Sequence, residues 1–359
     1  MQYKIFKLKF ETPVHFGSEK VGTSLENVIN ICHSDTLFSA MCQEILKIKD
    51  EIKLLDFVDW VDDGDLVFSS LLPYRNNELF LPKPCLLVER NNKSDDTEDT
   101  ASSIKKKKMK KLEFISINDF SRYIDCLKSG KSFDYDEEKY LFCKTETTAK
   151  VFLNRNGDSN DNNIYFVGST YYKYEEDKTD KTDKTDKTDK TDKTDKIHYG
   201  LYVIVKYKEQ EQIDFFQKIL DSLGFSGIGG KRSSGYGKFY IEDEMYPDVD
   251  GLPEEKLIFE LLETKGDYNI ALSVVSPTEA EIENNDFDKA YYKLISRDGF
   301  VYSTEYTDEN TLVKRKSLSM FKEGSCFPFE IAGEVKDVSD NGKHPVYKNG
   351  KMLKIGVKL

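Results

Sequence analysis

The residues with the clearest capacity for chemistry lie together at positions 227–238, which read GIGGKRSSGYGK. Five glycines let backbone N–H groups approach a ligand closely and let the chain adopt positive φ. Lys231, Arg232, Ser233 and Ser234 add hydrogen-bond donors, and the stretch contains no acid. Donors and positive charge without a carboxylate favour a phosphate chain as the ligand.

Two common nucleotide-binding motifs do not match this stretch. A Walker loop needs Gly-Lys followed directly by Ser or Thr and runs from strand to helix, whereas Lys231 precedes Arg232. The dinucleotide fingerprint needs a glycine three positions after Gly229, where Arg232 stands. The loop also follows a helical pattern and precedes a strand pattern. A glycine-rich turn with exposed cations is the alternative, which the two adjacent cations make less favoured.

Composition limits the class of protein. At 359 residues, 38% hydrophobic and 33% charged, the chain is expected to form about two globular domains. It has no long apolar run, and residues 3–10 alternate as in a strand, so we expect a cytoplasmic protein without a membrane partner. The six cysteines are scattered without a C-x-x-C pair, so no metal, disulfide framework or cofactor is predicted.

Charge is segregated along the chain. The formal net charge is −12, yet residues 224–240 hold three cations and no acid, while residues 242–255 hold seven acids. A basic groove in an acidic body binds phosphates at one place and leaves other surfaces for protein partners. This pattern is typical of a subunit of a larger assembly.

Two segments interrupt the ordered pattern. Residues 178–196 are six Lys-Thr-Asp triplets closed by a lysine, and we predict a disordered insertion without function. Residues 105–111 contain six lysines, which form either an RNA-facing arm or a solvated face.

The remaining patterns give an α+β fold. In the first part we predict a strand at 3–10, a helix at 34–48, strands at 66–72, 78–81 and 200–207, a helix at 212–223 and a strand at 238–241. A long insertion at about 85–197 separates the strand at 78–81 from that at 200–207. This is a ferredoxin-like βαββαβ outline for a domain at 1–245. Ser34 or Asp35 is the expected N-cap of the first helix. A second, strand-rich domain is predicted at 256–359.

The glycine stretch and several other segments resemble a known family. These are residues 12–18 (TPVHFGS), 31–40 (ICHSDTLFSA), 81–84 (LPKP), 223–239, 320–325, 333–338 and 344–347. Together they resemble the RAMP superfamily of CRISPR RNA-binding proteins and, within it, the family of fourth Csm subunits of type III-A effector complexes. The resemblance covers nearly the whole chain apart from the lysine-rich and Lys-Thr-Asp segments.

The resemblance implies two ferredoxin-like (RRM-like) domains, the second strand-rich and degenerate, with a thumb-like β-hairpin in the insertion. It implies a noncatalytic subunit of an antiviral complex that binds the crRNA 5′ handle and contacts the large polymerase-like (cyclase) subunit and a backbone subunit. The RNA-binding residues carried over by position are His15, Gly17, Ser18, Gly227, Gly229, Gly230, Lys231, Arg232, Ser233, Ser234, Gly235, Tyr236 and Gly237. Tyr236 is the candidate for base stacking.

The thumb-like hairpin is expected from residues 149–155 and 163–167, joined by a polar turn. The resemblance implies that it wedges between handle and guide, close to the target RNA. Arg155 is a further candidate contact to a phosphate, against the alternative that it is merely exposed.

Catalysis remains an alternative at this stage. His15 could act as the general acid or base of a crRNA-processing endoribonuclease, but no partner residue is visible, so we expect a structural or RNA-positioning role. Asp35 invites comparison with the aspartate with which backbone subunits cut target RNA, but an N-cap, at about 1 kcal/mol, explains it more simply. We therefore predict no catalytic residue. The third hypothesis is a protein-only adaptor whose glycine loop is structural.

Overall fold

The computed structural model describes residues 1–18, 25–48, 51–86, 108–152, 163–172, 197–247, 252–303, 305–307 and 313–359. Helix and strand each account for 31% of the chain, which confirms the mixed α and β class. The Lys-Thr-Asp repeat, Arg155 and residues 105–107 of the lysine run lie outside the described residues.

One seven-stranded sheet organises the first part of the chain. The strands and helices up to residue 245 are β1 Gln2–Phe10, α1 Ser34–Lys47, α2 Glu51–Asp62, β2 Leu66–Phe68, β3 Leu72–Arg75, β4 Glu78–Pro82, β5 Phe114–Ser116, α3 Ile117–Ser129, β6 Lys144–Phe152, β7 Asn163–Tyr171, β8 Tyr199–Tyr207, α4 Gln210–Ser226 and β9 Phe239–Met245. The sheet order is β5-β4-β3-β8-β1-β9, with β2 also paired to β8, and each pairing is antiparallel. The helices α1 and α4 pack against each other.

The second part of the chain contains shorter elements. They are α5 Pro253–Glu263, β10 Tyr268–Ala271, α6 Glu279–Asn284, β11 Leu294–Ser296, β12 Ser319–Phe321, β13 Cys326–Phe327, β14 Val335–Asp337, β15 Tyr347–Asn349 and β16 Lys354–Val357. A three-stranded sheet has the order β13-β10-β16, and two further pairs join β11 to β12 and β14 to β15. The largest cluster of buried apolar side chains includes residues from β1 through β16, so one core runs through both parts.

Several predicted elements differ from the structure. The strand expected at 66–72 is two strands, because the Ser70 backbone N–H turns away to donate to the Leu272 carbonyl oxygen at 2.9 Å. The helices α2 and α3 were not predicted. The apolar spacing in 34–48 predicts that Leu46 and Ile48 lie on the buried face of α1, but Leu46 is exposed and Ile48 lies just past the helix end, also exposed.

The expected N-cap of α1 is also wrong. The N-cap is His33, whose side chain makes no capping hydrogen bond, and the Asp35 side chain points into the protein and is completely buried. The Asp35 carboxylate accepts hydrogen bonds from Nε and NH2 of Arg297, at 3.0 and 2.9 Å, and from Nζ of Lys348, at 2.8 Å. Asp35 thus joins α1 to the second part of the chain rather than capping the helix.

The charges of this network depend on one another. Burial alone would raise the pKa of the Asp35 carboxyl, but Arg297 and Lys348 hold it well below its ordinary value, so the group is a carboxylate. Burial lowers the pKa of Lys348 to about 8, against the attraction of Asp35 and with a further decrease from Arg315 and Arg297. A second buried pair lies beside it, where Nδ1 of His33 is 2.7 Å from Oε1 of Glu323.

Replacement of Asp35 by asparagine is expected to lower the free energy of unfolding by about 3–5 kcal/mol, because Arg297 and Lys348 would be left buried without their carboxylate. The measurement is chemical denaturation at neutral pH. The matched control is Asp125→Asn on α3, where the carboxylate is exposed and a change within about 0.5 kcal/mol is expected. Equal effects of the two substitutions would contradict this role of Asp35.

The Lys348 ammonium predicts a pH dependence with a definite sign. Its pKa is lower in the folded chain than in the unfolded chain, so the unfolded state binds more protons between about pH 8 and the ordinary lysine value of about 10.4. The free energy of unfolding of the wild type should therefore rise relative to that of Lys348→Met across this interval, by up to about 1.4 kcal/mol per pH unit. Below pH 8 the difference should be constant. Parallel profiles from pH 7 to 10.5 would show that Lys348 does not titrate in this way.

Candidate nucleic-acid interface

The glycine-rich loop joins α4 to β9, as the sequence predicts. Helix α4 starts with a capping box between Glu209 and Gln212 and ends where the Gly227 N–H donates to the Leu223 carbonyl at 2.7 Å. A short 3₁₀ turn, Arg232–Ser234, follows, with Lys231 in the left-handed region at φ 60°. The loop therefore places its two cations between the end of α4 and the start of β9, the edge strand that pairs with β1.

Four of the five glycines are required by close packing. A Cβ on Gly237 would lie 2.0 Å from the Ile228 carbonyl oxygen, and one on Gly227 would lie 2.5 Å from that of Tyr236. A Cβ on Gly229 or Gly230 would lie 2.6 Å from atoms of His15. These glycines thus bring the two arms of the loop together and hold it against residue 15. Gly235 differs, because open space surrounds it at φ +84°.

His15 is enclosed by the elements around it. The residue is only 7% exposed, and its Nδ1 lies 2.8 Å from the Gly168 carbonyl oxygen of β7. The Gly230 N–H donates to the His15 carbonyl at 2.8 Å, while Gly17 bridges to Val28. The structure thus brings together His15, Gly17 and the loop, as the sequence predicts. Ser18 follows directly, with its N–H donating to the Asn27 carbonyl at 2.9 Å.

The predicted hairpin is confirmed and is longer than expected. Strands β6 and β7 pair over nine positions, from Lys144 with Tyr171 to Phe152 with Asn163. Both strands of the hairpin lie beside the glycine loop, since Lys150 Nζ on β6 is 5.4 Å from the centre of the Tyr236 ring and Ser169 Oγ on β7 donates to Tyr236 Oη at 3.4 Å.

Lys231 makes a second contact between the loop and the hairpin. Its Nζ lies 5.3 Å from the centre of the Tyr165 ring on β7. Both Lys231 and Tyr236 therefore face aromatic or cationic partners from the hairpin. The face formed by the loop and the hairpin alternates positive charge with aromatic rings, which is the composition of surfaces that bind single-stranded nucleic acid.

A cavity of about 480 Å³ opens between the loop, the His15 segment, α1 and the second part of the chain. Four of its lining residues come from beyond residue 290 and were missed by the sequence analysis: Arg297, Tyr302, Arg315 and Lys348. Arg315 stands in the basic run 314–316 (KRK), a local signal that could have drawn attention to it. Nothing in the sequence links the four residues to the loop, so only the fold brings them there. We call this space the loop cavity.

Arg232 reaches across the loop cavity to the second part of the chain. Its guanidinium carbon lies 5.3 Å from the centre of the Tyr302 ring, and NH2 donates to Gln43 Oε1 at 3.1 Å. Tyr302 is 77% exposed, so its ring presents a face to a ligand. An exposed ring beside a guanidinium is a suitable platform for a nucleobase.

The floor of the loop cavity carries net positive charge. Arg297, Arg315 and Lys348 supply three cations, and Asp35 supplies one carboxylate among them. Arg315 is held by donation from NH2 to the Asp298 carbonyl at 2.7 Å. Burial lowers the pKa of Arg315, although arginine stays protonated at physiological pH. The excess of charge favours an anionic ligand.

Other site types are less compatible with the described residues. Within the described ranges no group of three or more His, Cys, Asp or Glu side chains could hold a metal ion. Among the helices in the described part of the chain, none is long and apolar enough to span a membrane.

Comparison with known proteins identifies the family. The profile of the RAMP superfamily matches residues 7–240, and that of the CRISPR Csm4 C-terminal domain matches residues 264–357. The chain therefore belongs to the RAMP superfamily.

The similar relatives carry the Csm4 name. The "CRISPR system Cms protein Csm4" of Streptococcus thermophilus is 26% identical over 339 residues, covering 94% of this chain and 93% of that protein. The protein with the same description from Mycobacterium tuberculosis (strain CDC 1551 / Oshkosh) is 27% identical over 358 residues, covering 98% and 97%.

Solved structures show the same fold. A chain of the Csm3-Csm4 subcomplex in the type III-A CRISPR-Cas interference complex matches with a TM-score of 0.58 at 19% identity, covering 99% of both chains. A chain of the Csm1-Csm4 cassette in complex with cA4 matches with a TM-score of 0.56 at 18% identity, covering 100% of this chain and 99% of that chain. The resemblance recognised in the sequence is thus confirmed.

The two turn glycines Gly237 and Gly235 offer a matched test of the loop geometry. Both have positive φ, so alanine at either position costs about 1–2 kcal/mol of backbone strain. Gly237→Ala also places a methyl group 2.0 Å from the Ile228 carbonyl oxygen, whereas Gly235→Ala meets open space. In thermal denaturation, the melting temperature should therefore fall further for Gly237→Ala than for Gly235→Ala. Equal decreases would contradict the close approach of the two arms.

Proposed function

We propose that this chain is a noncatalytic, Csm4-type subunit of a type III-A CRISPR effector complex that binds the crRNA 5′ handle in the loop cavity. The observation that carries the proposal is that five cations line one cavity: Lys231, Arg232, Arg297, Arg315 and Lys348. In a chain of net charge −12, such a concentration of positive charge at the glycine loop favours a phosphate backbone.

Aromatic rings around the loop favour RNA over a simple anion. Tyr302 and Tyr236 each lie next to a cation, and Tyr302 is largely exposed. Splayed bases stack on such rings, each stack contributing roughly 1–3 kcal/mol. Lys231, Arg232, Ser233 and Ser234 would then contact handle phosphates. Gly227, Gly229, Gly230 and Gly237 would act mainly by shaping the loop.

The fold supports the domain assignment. The order β9-β1-β8-β3, with α1 after β1 and α4 between β8 and β9, agrees with a ferredoxin-like domain at residues 1–245. We infer that residues 256–359 form the second, degenerate domain, in which the β13-β10-β16 sheet is what remains of a ferredoxin-like sheet. The β6-β7 hairpin is then the thumb-like element, placed near target RNA.

Protein partners follow from the relatives. Csm4 chains occur in Csm3-Csm4 and Csm1-Csm4 assemblies, so we infer that this chain links the large cyclase subunit to a backbone subunit in the cytoplasm. Exposed apolar side chains on α2 and at the end of α4 support a surface that another protein covers: Ile52 is 75% exposed and Phe225 is 84% exposed.

The surroundings of His15 and Asp35 support a binding role over catalysis. The His15 ring is buried and Nδ1 is occupied by a backbone carbonyl, which suits a positioning residue better than a proton-transfer residue. Asp35 is enclosed by two cations and is remote from solvent. The processing endoribonuclease and the protein-only adaptor are the hypotheses that the experiment must separate from RNA binding.

The central test is the double substitution Lys231→Ala and Arg232→Ala in the full chain, assayed for loading of crRNA into the reconstituted complex. Loading of crRNA should be lost. For handle binding by the purified chain, the slope of log K against log salt concentration should become shallower by about 1.4, since each of the two lost single-strand phosphate contacts contributes about 0.7. The control, Lys218→Ala with Lys256→Ala, removes the same charge from exposed sites on α4 and α5 and should bind normally.

Normal loading by the Lys231 and Arg232 double variant would contradict the assignment of the loop. If footprinting shows no RNA protection at the loop while the other subunits still assemble, the adaptor hypothesis is favoured. If the same reactions without metal yield cleaved repeat RNA, and His15→Ala abolishes the product, the chain is an endoribonuclease.

A further inference from the structure

A second and larger cavity, of about 830 Å³, lies on the other side of the segment that walls the loop cavity. It is enclosed by this segment, the end of β4, α3 and the second part of the chain. The two cavities share Ile29, Ile31 and His33 as lining residues. We call this second space the lysine cavity, after the six lysines among its lining residues: Lys83, Lys110, Lys111, Lys131, Lys293 and Lys322.

The charge of the lysine cavity is not balanced locally. Its acidic lining residues are Glu113 and Glu323, and Glu323 already pairs with His33. Among the described residues no carboxylate forms an ion pair with Lys110, Lys111 or Lys131, and the same holds for Lys293 and Lys322. These lysines come from four separate segments, so the shared location is a product of the fold.

Lys83 has a structural role at the wall of this cavity. Its Nζ donates to the carbonyl oxygens of Met109 and Lys110, at 2.8 and 3.2 Å. Burial and the neighbouring Lys293 both lower the pKa of Lys83, so positive charges are crowded here. In a chain with an excess of acids, crowding of lysines against one another at a cavity indicates a site for an anion.

One buried polar atom gives the site a second feature. Glu323 is 6% exposed and lines the cavity; its Oε1 is 2.7 Å from His33 Nδ1 and accepts from Ser70. Its Oε2 is buried without a hydrogen-bond partner among the described residues. Burial would raise the pKa of Glu323, but His33 lowers it overall, so the group is a carboxylate that lacks a donor for one oxygen. The N–H groups of a nucleobase are suitable donors.

We propose that the lysine cavity is a second nucleotide-binding site, in which lysines bind the phosphate and Glu323 accepts a hydrogen bond from the base. Lysine is a point-charge phosphate ligand, and the volume is within the usual range for nucleotide-sized ligands. The nucleotide belongs either to an RNA strand or to a free nucleotide. The site does not require that the glycine loop bind RNA, so the two proposals can fail separately.

The test uses the purified full chain with two probes, radiolabelled ATP and a single-stranded RNA that carries the repeat-derived handle. The variant is Lys110→Ala, Lys111→Ala and Lys131→Ala, three exposed lysines at the cavity. The control is Lys218→Ala, Lys256→Ala and Lys265→Ala, which removes the same charge from exposed positions elsewhere. Binding of each probe is measured by equilibrium dialysis at several salt concentrations.

We expect the cavity variant to weaken binding of at least one probe about tenfold or more while the control changes it less than twofold, and thermal denaturation should show both variants folded. Loss of RNA binding alone assigns the cavity to the RNA strand, and loss of ATP binding alone assigns it to a free nucleotide. Unchanged binding of both probes, equal losses in variant and control, or no binding of either probe by the wild type would overturn the proposal.

Glu323→Gln tests the contact to the base. It replaces the carboxylate by an amide of similar shape. With the amide oxygen at the position of Oε1, which accepts from Ser70, the amide nitrogen stands in place of Oε2 and cannot accept from a base, so the preference of the chain for ATP over inorganic tripolyphosphate should fall severalfold. An unchanged preference would overturn the role of Glu323. Because Glu323 is buried, binding by Glu323→Gln is compared with that of the wild type at the same concentration of folded protein. The triple lysine variant changes only exposed side chains, so it tests the phosphate contacts even if Glu323→Gln does not fold.

Discussion

The buried carboxylate of Asp35 is the constraint on which the candidate site depends. It is fixed at the start of α1 and binds one cation from beside β11 and one from β15. Removing a charge from water is costly unless partners replace the solvent, so Asp35 stabilises the structure only while Arg297 and Lys348 stay in place. The second part of the chain is thereby held against the first, and the loop cavity forms between them.

This arrangement also determines the electrostatics of the cavity. One carboxylate fixes Arg297 and Lys348, and Arg315 adds a further cation held by a backbone carbonyl. The cations therefore stay in position before any ligand arrives, and little side-chain entropy remains to be lost on binding. The glycine loop contributes the opposite wall, where close backbone packing replaces salt bridges as the source of rigidity.

The sequence predicted those features that have local signals. The loop at 227–238 and the β6-β7 hairpin were found because glycine spacing and alternation are readable within a few residues. Arg297, Tyr302 and Lys348 were missed, because no local pattern links them to the loop and they reach it only through long-range packing.

Asp35 shows the same limit in the opposite direction. Its position at a helix start is typical of an N-cap. A local rule cannot detect its two cationic partners, because Arg297 and Lys348 lie 262 and 313 residues further along the chain. The helix α2 was missed for a related reason, since only Phe57, Val58 and Val61 of its side chains are buried. Contacts that are distant in sequence, rather than local propensity, decide the role of Asp35.

The most direct measurement of the central claim is ultraviolet crosslinking of handle RNA to the full chain, followed by mass spectrometry of the crosslinked peptides. If RNA occupies the cavity between the two parts of the chain, crosslinks should occur both in the loop at 227–238 and at Tyr302, and a competing unlabelled handle should remove them together. Crosslinks confined to one of these segments, or absent from both, would contradict a shared RNA site.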